Sequence, residues 1–169
     1  RVAVLTNAGG LGILCADACE AVGLELPELS PETKEALAAL LSPEASVANP
    51  VDMLGGATAA TYAEALPRLL ADPQVDAAIV LFVPTVTASA DDVAVAVADA
   101  SAAAASGKPV LAVVMTSSGI PAALRRRGGH VAAFSYPESA ARALGHAAAR
   151  AEWLRRPYGS IPVPEGIDR

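Results

Sequence analysis

A doubly wound α/β fold, with a mainly parallel five-stranded sheet between helices, is what three features of the sequence predict. Val/Leu-rich runs alternate with segments of helical spacing along most of the chain. The runs Val75–Val83 and Val110–Met115 are apolar without alternation, as strands buried on both faces are. Between strand and helix stand short glycine- or serine-bearing turns, and alternation of this kind calls for right-handed crossovers.

The first element is the strand Val2–Leu5, followed by the turn Thr6-Asn7-Ala8-Gly9-Gly10 and a helix from about Gly10 to Ala21 that Gly23 ends. Backbone N–H groups left without partners at a helix start, with the positive end of the helix dipole, attract anions. The turn is therefore expected to meet a phosphate or carboxylate. Leu24–Leu29 reads as a short strand. Ser30-Pro31-Glu32 then combines an N-cap serine, a proline at the first helical position and an acid in the first turn, and opens a helix through Leu41. Ser42–Thr58 carries Pro43, Pro50, Gly55 and Gly56, so it reads as loop with a brief extended piece at Val51–Leu54. Thr61-Tyr62-Ala63-Glu64 has capping-box spacing and predicts a helix to about Ala71.

Beyond the strand Val75–Val83, Pro84 and a loop at Thr85–Ala90 lead to a helix over Asp91–Ala105. After the strand Val110–Met115, Ser117-Ser118-Gly119 leads to a short helix at about Pro121–Arg127. Val131–Phe134 is the last strand, and Ser135-Tyr136-Pro137-Glu138 starts a long helix to about Leu154. This is a flavodoxin-like, three-layer arrangement, whose ligands bind beyond the carboxyl ends of the strands where the strand order reverses. Asn7–Gly12, Thr85, Thr116–Gly119 and the outlying Asn49–Gly56 are expected to meet at that rim.

Composition narrows the class of partner. The 169 residues carry a net charge of −6, which speaks against nucleic-acid and anionic-membrane surfaces. No uncharged apolar run reaches the roughly 18 residues of a membrane span. Cys15 and Cys19 read as small core residues of a protein in the reducing cytoplasm. Residues 1–156 form one expected domain, and 157–169, with Pro157, Gly159, Pro162, Pro164 and Gly166, a linker to a further domain.

The glycine turn admits several readings. Glycines at 9, 10 and 12 miss the G-x-G-x-x-G spacing of dinucleotide sites, though Glu25 or Glu28 could imitate the acidic partner. The rim loops lack the aromatics of a flavin site, and Asn7 stands where a phosphoacceptor domain needs clustered acids. Gly9, Gly10 and Gly12 could also serve only close packing of the helix on the sheet.

Val4–Leu14, Ser46–Gly56 (with Asn49-Pro50-Val51-Asp52 at its centre) and Asp72–Val80 together resemble, in order and separation, three signature stretches of one family. It is the ligase domain of NDP-forming acyl-CoA synthetases, relatives of succinyl-CoA synthetase, and the resemblance runs from about Val2 to Leu154. It implies an acyl phosphate, a phosphohistidine and a nucleotide exchanging one phosphoryl group. By position, Asn7, Ala8, Gly9, Gly10 and Gly12 would face phosphate, and Asn49, Asp52, Gly55, Gly56 and Thr85 would lie on the acyl side. It further implies sister CoA-binding, phosphohistidine and ATP-grasp domains or subunits, with CoA and Mg-ATP used by the full-length protein and no cofactor, metal or catalytic residue held by this chain alone. Homo-oligomerisation is left open. Neither histidine suits the phosphoryl carrier: His130 follows Arg125–Arg127 at a strand entry, and His146 lies among alanines of the last helix. The same module occurs in large protein lysine acetyltransferases, where it implies regulatory binding of acyl-CoA or another effector instead.

Overall fold

The computed structural model describes residues 1–104, 106–125, 131–157 and 159. Five strands, β1 (Val2–Thr6), β2 (Val51–Asp52), β3 (Ala77–Phe82), β4 (Val110–Val114) and β5 (Val131–Phe134), form one sheet in the order β2-β1-β3-β4-β5. Every neighbouring pair is parallel, with Thr6 opposite both Asp52 and Leu81. The order reverses between β1 and β3, so the ligand crevice of this topology lies beyond Thr6 and Phe82.

Helices cover both faces, because alternate residues of the strands point to opposite sides. On one face, α1 (Gly9–Ala21) and α5 (Pro137–Arg155) enclose Val2, Val4, Ile79, Leu81, Leu111 and Val113 together with Cys15, Cys19, Ala140 and Leu144. On the other, α2 (Pro31–Leu40), α3 (Ala59–Ala71) and α4 (Ala90–Ala103) pack Leu37, Leu66, Leu69, Val93 and Val97 against Ala3, Leu5, Val80 and Phe82. Each such fully buried aliphatic side chain contributes about 1.5–3 kcal/mol. Both cysteines are free and buried, the role expected of small core residues. Burial and the hydrogen bond shared with Cys19 push the Cys15 thiol well above its ordinary value, the hydrogen bond being the larger cause.

The helix ends follow their local chemistry. Gly23 takes φ +77° after α1, and Leu24 N–H returns to Cys19 O while Gly23 N–H returns to Glu20 O, a Schellman closure. Ser30 caps α2 through the Thr33 N–H, and Ser89 caps α4 through that of Asp92. Asp72, only 1 % exposed, joins three elements. Its carboxylate accepts the N–H groups of Ser30 (2.8 Å) and Gln74 (2.7 Å), and its carbonyl accepts Lys108 Nζ. Burial alone would raise this carboxyl, but the Gln74 and Ser30 amides and the Thr33 and Ser30 hydroxyls outweigh it and hold the group below its ordinary value.

Three expectations are corrected. Leu24–Leu29 is not a strand: Pro27 removes a ladder donor, and the Asn49 side chain occupies the edge of β1 that the run would have paired. The fifth strand is instead Val51–Asp52, within the brief extended piece expected there. The capping box of α3 is Thr58 with Thr61, so the helix begins at Ala59, two residues before Thr61. The helix expected over Pro121–Arg127 is a 3-10 turn at Ala122–Leu124, entered through Pro121 and the left-handed Gly119. Arg126–His130, and the linker apart from Pro157 and Gly159, lie outside the described residues.

Candidate functional site

The rim is built outward from the end of β1. Thr6 Oγ1 accepts the Ala8 N–H at 3.0 Å and donates to Ala8 O at 3.1 Å, which tightens the turn. Asn7 is 3 % exposed and directs its side chain away from solvent: Nδ2 donates to Val83 O at 2.9 Å and Oδ1 accepts Val83 N–H at 3.0 Å. It thereby ties the ends of β1 and β3 together at the point where the strand order reverses. Beneath it, the fully buried Tyr62 donates its hydroxyl to Leu81 O at 2.8 Å and meets Phe82 edge to face, centroids 5.8 Å apart. Burial pushes the Tyr62 hydroxyl well above its ordinary range, so it remains a neutral donor.

This anchoring leaves the start of α1 open. Its N-cap is Ala8, which has no side chain able to cap, and the first turn contains no acid. The Gly9 and Gly10 N–H groups, at the first two helical positions, have no intrahelical acceptors. Gly10 is exposed, and a Cβ placed there would meet nothing within 4 Å. Gly12 is buried, and its Cβ would lie 3.1 Å from Thr6 Cγ2 and 3.3 Å from Pro50 Cβ. Gly12 therefore serves close packing of α1 on β1, whereas Gly10 faces open space.

The expected acyl-side residues divide. Asp52 projects from the end of β2 over α1: its Oδ2 lies 2.6 Å from where a Gly9 Cβ would be, and its Oδ1 accepts the Leu54 N–H at 3.0 Å. Gly55 O accepts Thr87 Oγ1 at 3.3 Å, and Thr87 shares a hydrogen bond with Thr85 at 2.9 Å. Asp52 thus stands beside the α1 start, Gly55 and Thr85 are joined through Thr87, and Gly56 follows Gly55 with open space about it. Asn49 lies elsewhere, along the edge of β1. Its carboxamide accepts Val4 N–H and donates to Val2 O and Pro27 O, and its peptide bond to Pro50 is cis. Its amide supplies pairing that a strand would otherwise provide.

Thr87, the Asp52 to Gly9 approach and the inward turn of Asn7 had no separate sequence signal, since each depends on a partner dozens of residues away. Large apolar side chains surround the rim in the open: Ile13 and Leu14 on α1, Leu54, the fully exposed Val86, Met115 and Tyr136. A cleft of about 410 Å³ lined by Thr116, Ser117, Ser135 and Tyr136 lies at the same edge, beyond β4 and β5. The larger cleft, about 520 Å³, is at the amino edge of the sheet between Val2, Lys108, Leu144 and Arg155, remote from the crevice of this topology. His146 is exposed on α5. Among the described residues no three His, Cys, Asp or Glu side chains are placed to hold a metal ion, and no helix is long and apolar enough to cross a membrane.

Residues 2–159 match the family model of the Ligase-CoA domain. The chain is 41 % identical over 117 residues to the alpha subunit of ADP-forming acetate–CoA ligase II of Pyrococcus furiosus, covering 68 % of this chain and 26 % of that one. It is 27 % identical over 159 residues to an ADP-forming 4-hydroxybutyrate–CoA ligase of Nitrosopumilus maritimus, covering 94 % of this chain and 22 % of the relative. A crystal structure from Pyrococcus horikoshii superposes with a TM-score of 0.85 at 34 % identity, over 92 % of this chain and 37 % of the other. An acetyl-coenzyme A synthetase of Ca. Korarchaeum cryptofilum, solved in complex with phosphate and ADP, superposes with a TM-score of 0.79 at 32 % identity, over 90 % of this chain and 34 % of that one. The chain thus spans about a quarter of the length of these curated relatives.

Proposed function

Because the chain belongs to the Ligase-CoA domain family, we propose that it is the ligase-type domain of an ADP-forming acyl-CoA synthetase, and that the start of α1 receives the phosphoryl group in transit. The observation that carries this reading is the helix start itself. Ala8 leaves it without a side-chain cap, Gly10 leaves it without steric cover, and Asn7 fixes its position at the strand-order reversal.

The chemistry asks for little more from this domain. The γ-phosphoryl group of ATP passes to a histidine, forming an N–P bond as the bond to ADP breaks. The carboxylate of the acyl acid then takes the phosphoryl group from the histidine, giving an acyl phosphate. The thiolate of CoA attacks the acyl carbon and expels inorganic phosphate. At each phosphoryl step negative charge is spread over equatorial oxygens, and preorganised donors aimed at them are worth more than covalent help. The Gly9 and Gly10 amides and the α1 dipole would supply such donors. Histidine, nucleotide and CoA would be held by sister domains or subunits, and His146, exposed on α5, is not the carrier in this reading. The relatives are named as ligases, which favours a synthetase domain over a regulatory acyl-CoA module.

On this reading the chain by itself is inert and becomes productive only beside its sister segments. Given ATP, CoA and short acyl acids, it forms no acyl-CoA; joined by CoA-binding, phosphohistidine and ATP-grasp segments, it does. Turnover by the chain alone, or none on reconstitution with correctly folded segments, would refute the proposal.

A further inference from the structure

At the amino edge of the sheet, opposite the rim, α5 runs past the strand starts and encloses the cleft of about 520 Å³. Small-molecule sites fall between about 300 and 1,000 Å³. The buried Val2 and Leu144 form its floor, and Leu24, Ala147, Ala148 and Ala151 its apolar walls.

Five charged side chains also line the cleft, and they are not equivalent. Arg1 and Asp76 satisfy each other: Nε and Nη2 of the guanidinium each donate to the carboxylate at 3.0 Å, and these bonds hold the Asp76 carboxyl well below its ordinary value. There remain two cations, Lys108 and Arg155, against one acid, Glu152, in a chain whose net charge is −6. Among the described residues none of the three forms an ion pair. Lys108 is fixed in place. Its backbone N–H donates to Ser106 Oγ at 3.4 Å beside the left-handed Gly107 (φ +63°), and its Nζ donates to Asp72 O at 2.7 Å. An ammonium has three N–H donors, and that bond uses one.

We propose that this cleft binds an aliphatic carboxylate, its head between Lys108 and Arg155 and its chain along Leu24, Ala148 and Leu144. The part-buried ammonium has donors to spare, and a guanidinium can meet a carboxylate in two parallel bonds. With one positive charge in excess, a monoanion is met in full and a phosphate dianion only in part. The site lies at the opposite edge of the sheet from the start of α1 and does not depend on the role of that helix.

The test is a titration of the chain with octanoate, octan-1-ol and octylammonium, followed by the amide resonances of Val2, Leu24, Lys108 and Ala148. Octanoate is expected to shift these four, to leave Gly9 and Gly10 in place, and to bind about tenfold more tightly than the alcohol, with octylammonium weakest. From butanoate through hexanoate to octanoate, affinity should rise about two- to fourfold per methylene, fourfold being full burial of a CH₂. Lys108→Met and Arg155→Gln should each weaken octanoate about fivefold, and Glu152→Gln, which removes the opposing acid, should tighten it. Lys108→Met also removes the bond to Asp72 O, so a thermal melt accompanies it; Arg155 is exposed and makes no such bond, so its variant reads the head group alone. Absence of shifts at millimolar octanoate, equal affinity for octanoate and octan-1-ol, or unchanged octanoate affinity in Arg155→Gln and Lys108→Met would each overturn the site.

Discussion

Asn7 holds both backbone polar groups of Val83, its Nδ2 on the carbonyl at 2.9 Å and its Oδ1 under the N–H at 3.0 Å. One side chain thus closes the gap between β1 and β3 just where the topology opens its crevice, and the glycine turn that follows is positioned by it. Asn7→Ala leaves two partly buried backbone groups without partners and is expected to destabilise the fold by about 2–4 kcal/mol. Urea unfolding of the two chains checks the figure, and a loss below about 0.5 kcal/mol, the level of an unremarkable surface change, would contradict the clamp.

The two glycines at the start of α1 should respond in opposite directions. At Gly12 an added methyl group meets Thr6, whose hydroxyl is already committed to Ala8, and the rigid ring of Pro50. Gly12→Ala is expected to cost about 1–2 kcal/mol net, overpacking exceeding the gain in helix propensity. Gly10→Ala meets nothing and should be neutral or stabilising by up to about 1 kcal/mol. Thermal melts of the pair distinguish packing from openness.

Asp72 predicts a pH dependence. Its carboxyl is held below the ordinary value in the folded chain, so between that ordinary value and the lower folded one the unfolded state binds more protons and stability rises with pH. Its contribution is complete above about pH 4 and is lost as pH falls through the folded value. Asp72→Ala, which strands the Ser30 and Gln74 amides, should cost about 2–4 kcal/mol at pH 7 and flatten the acid limb of a stability profile. An unchanged acid limb in the variant would assign that limb to other carboxylates.

Tyr62→Phe keeps the edge-to-face contact with Phe82 and removes the donor to Leu81 O. The buried carbonyl then lacks that partner, and a loss of about 1–2 kcal/mol in chemical denaturation is expected.

Much of this was legible in the residues. Continuous apolar runs identified β3 and β4, Ser30 and Gly23 marked helix ends, and the glycines at 9, 10 and 12 located the start of α1. Illegible were the features made by partners distant in sequence. Leu24–Leu29 has the composition of a strand, but Pro27 within it and the Asn49 carboxamide beside β1 decide otherwise. The position of Asn7 before the glycines says nothing of its side chain, which pairs with Val83, 76 residues further along the chain. Asp52 could be assigned to the rim, but nothing local says that its carboxylate lies against Gly9.

The central claim, that the start of α1 receives the phosphoryl group, is tested most directly at Gly10, whose side-chain position is empty. With this chain assembled beside its sister segments, Gly10→Trp should lower acyl-CoA formation by about a hundredfold or more, the scale on which removal of transition-state donors acts. Its unfolding midpoint should stay where it is. Full activity in a correctly folded Gly10→Trp synthetase would contradict the account.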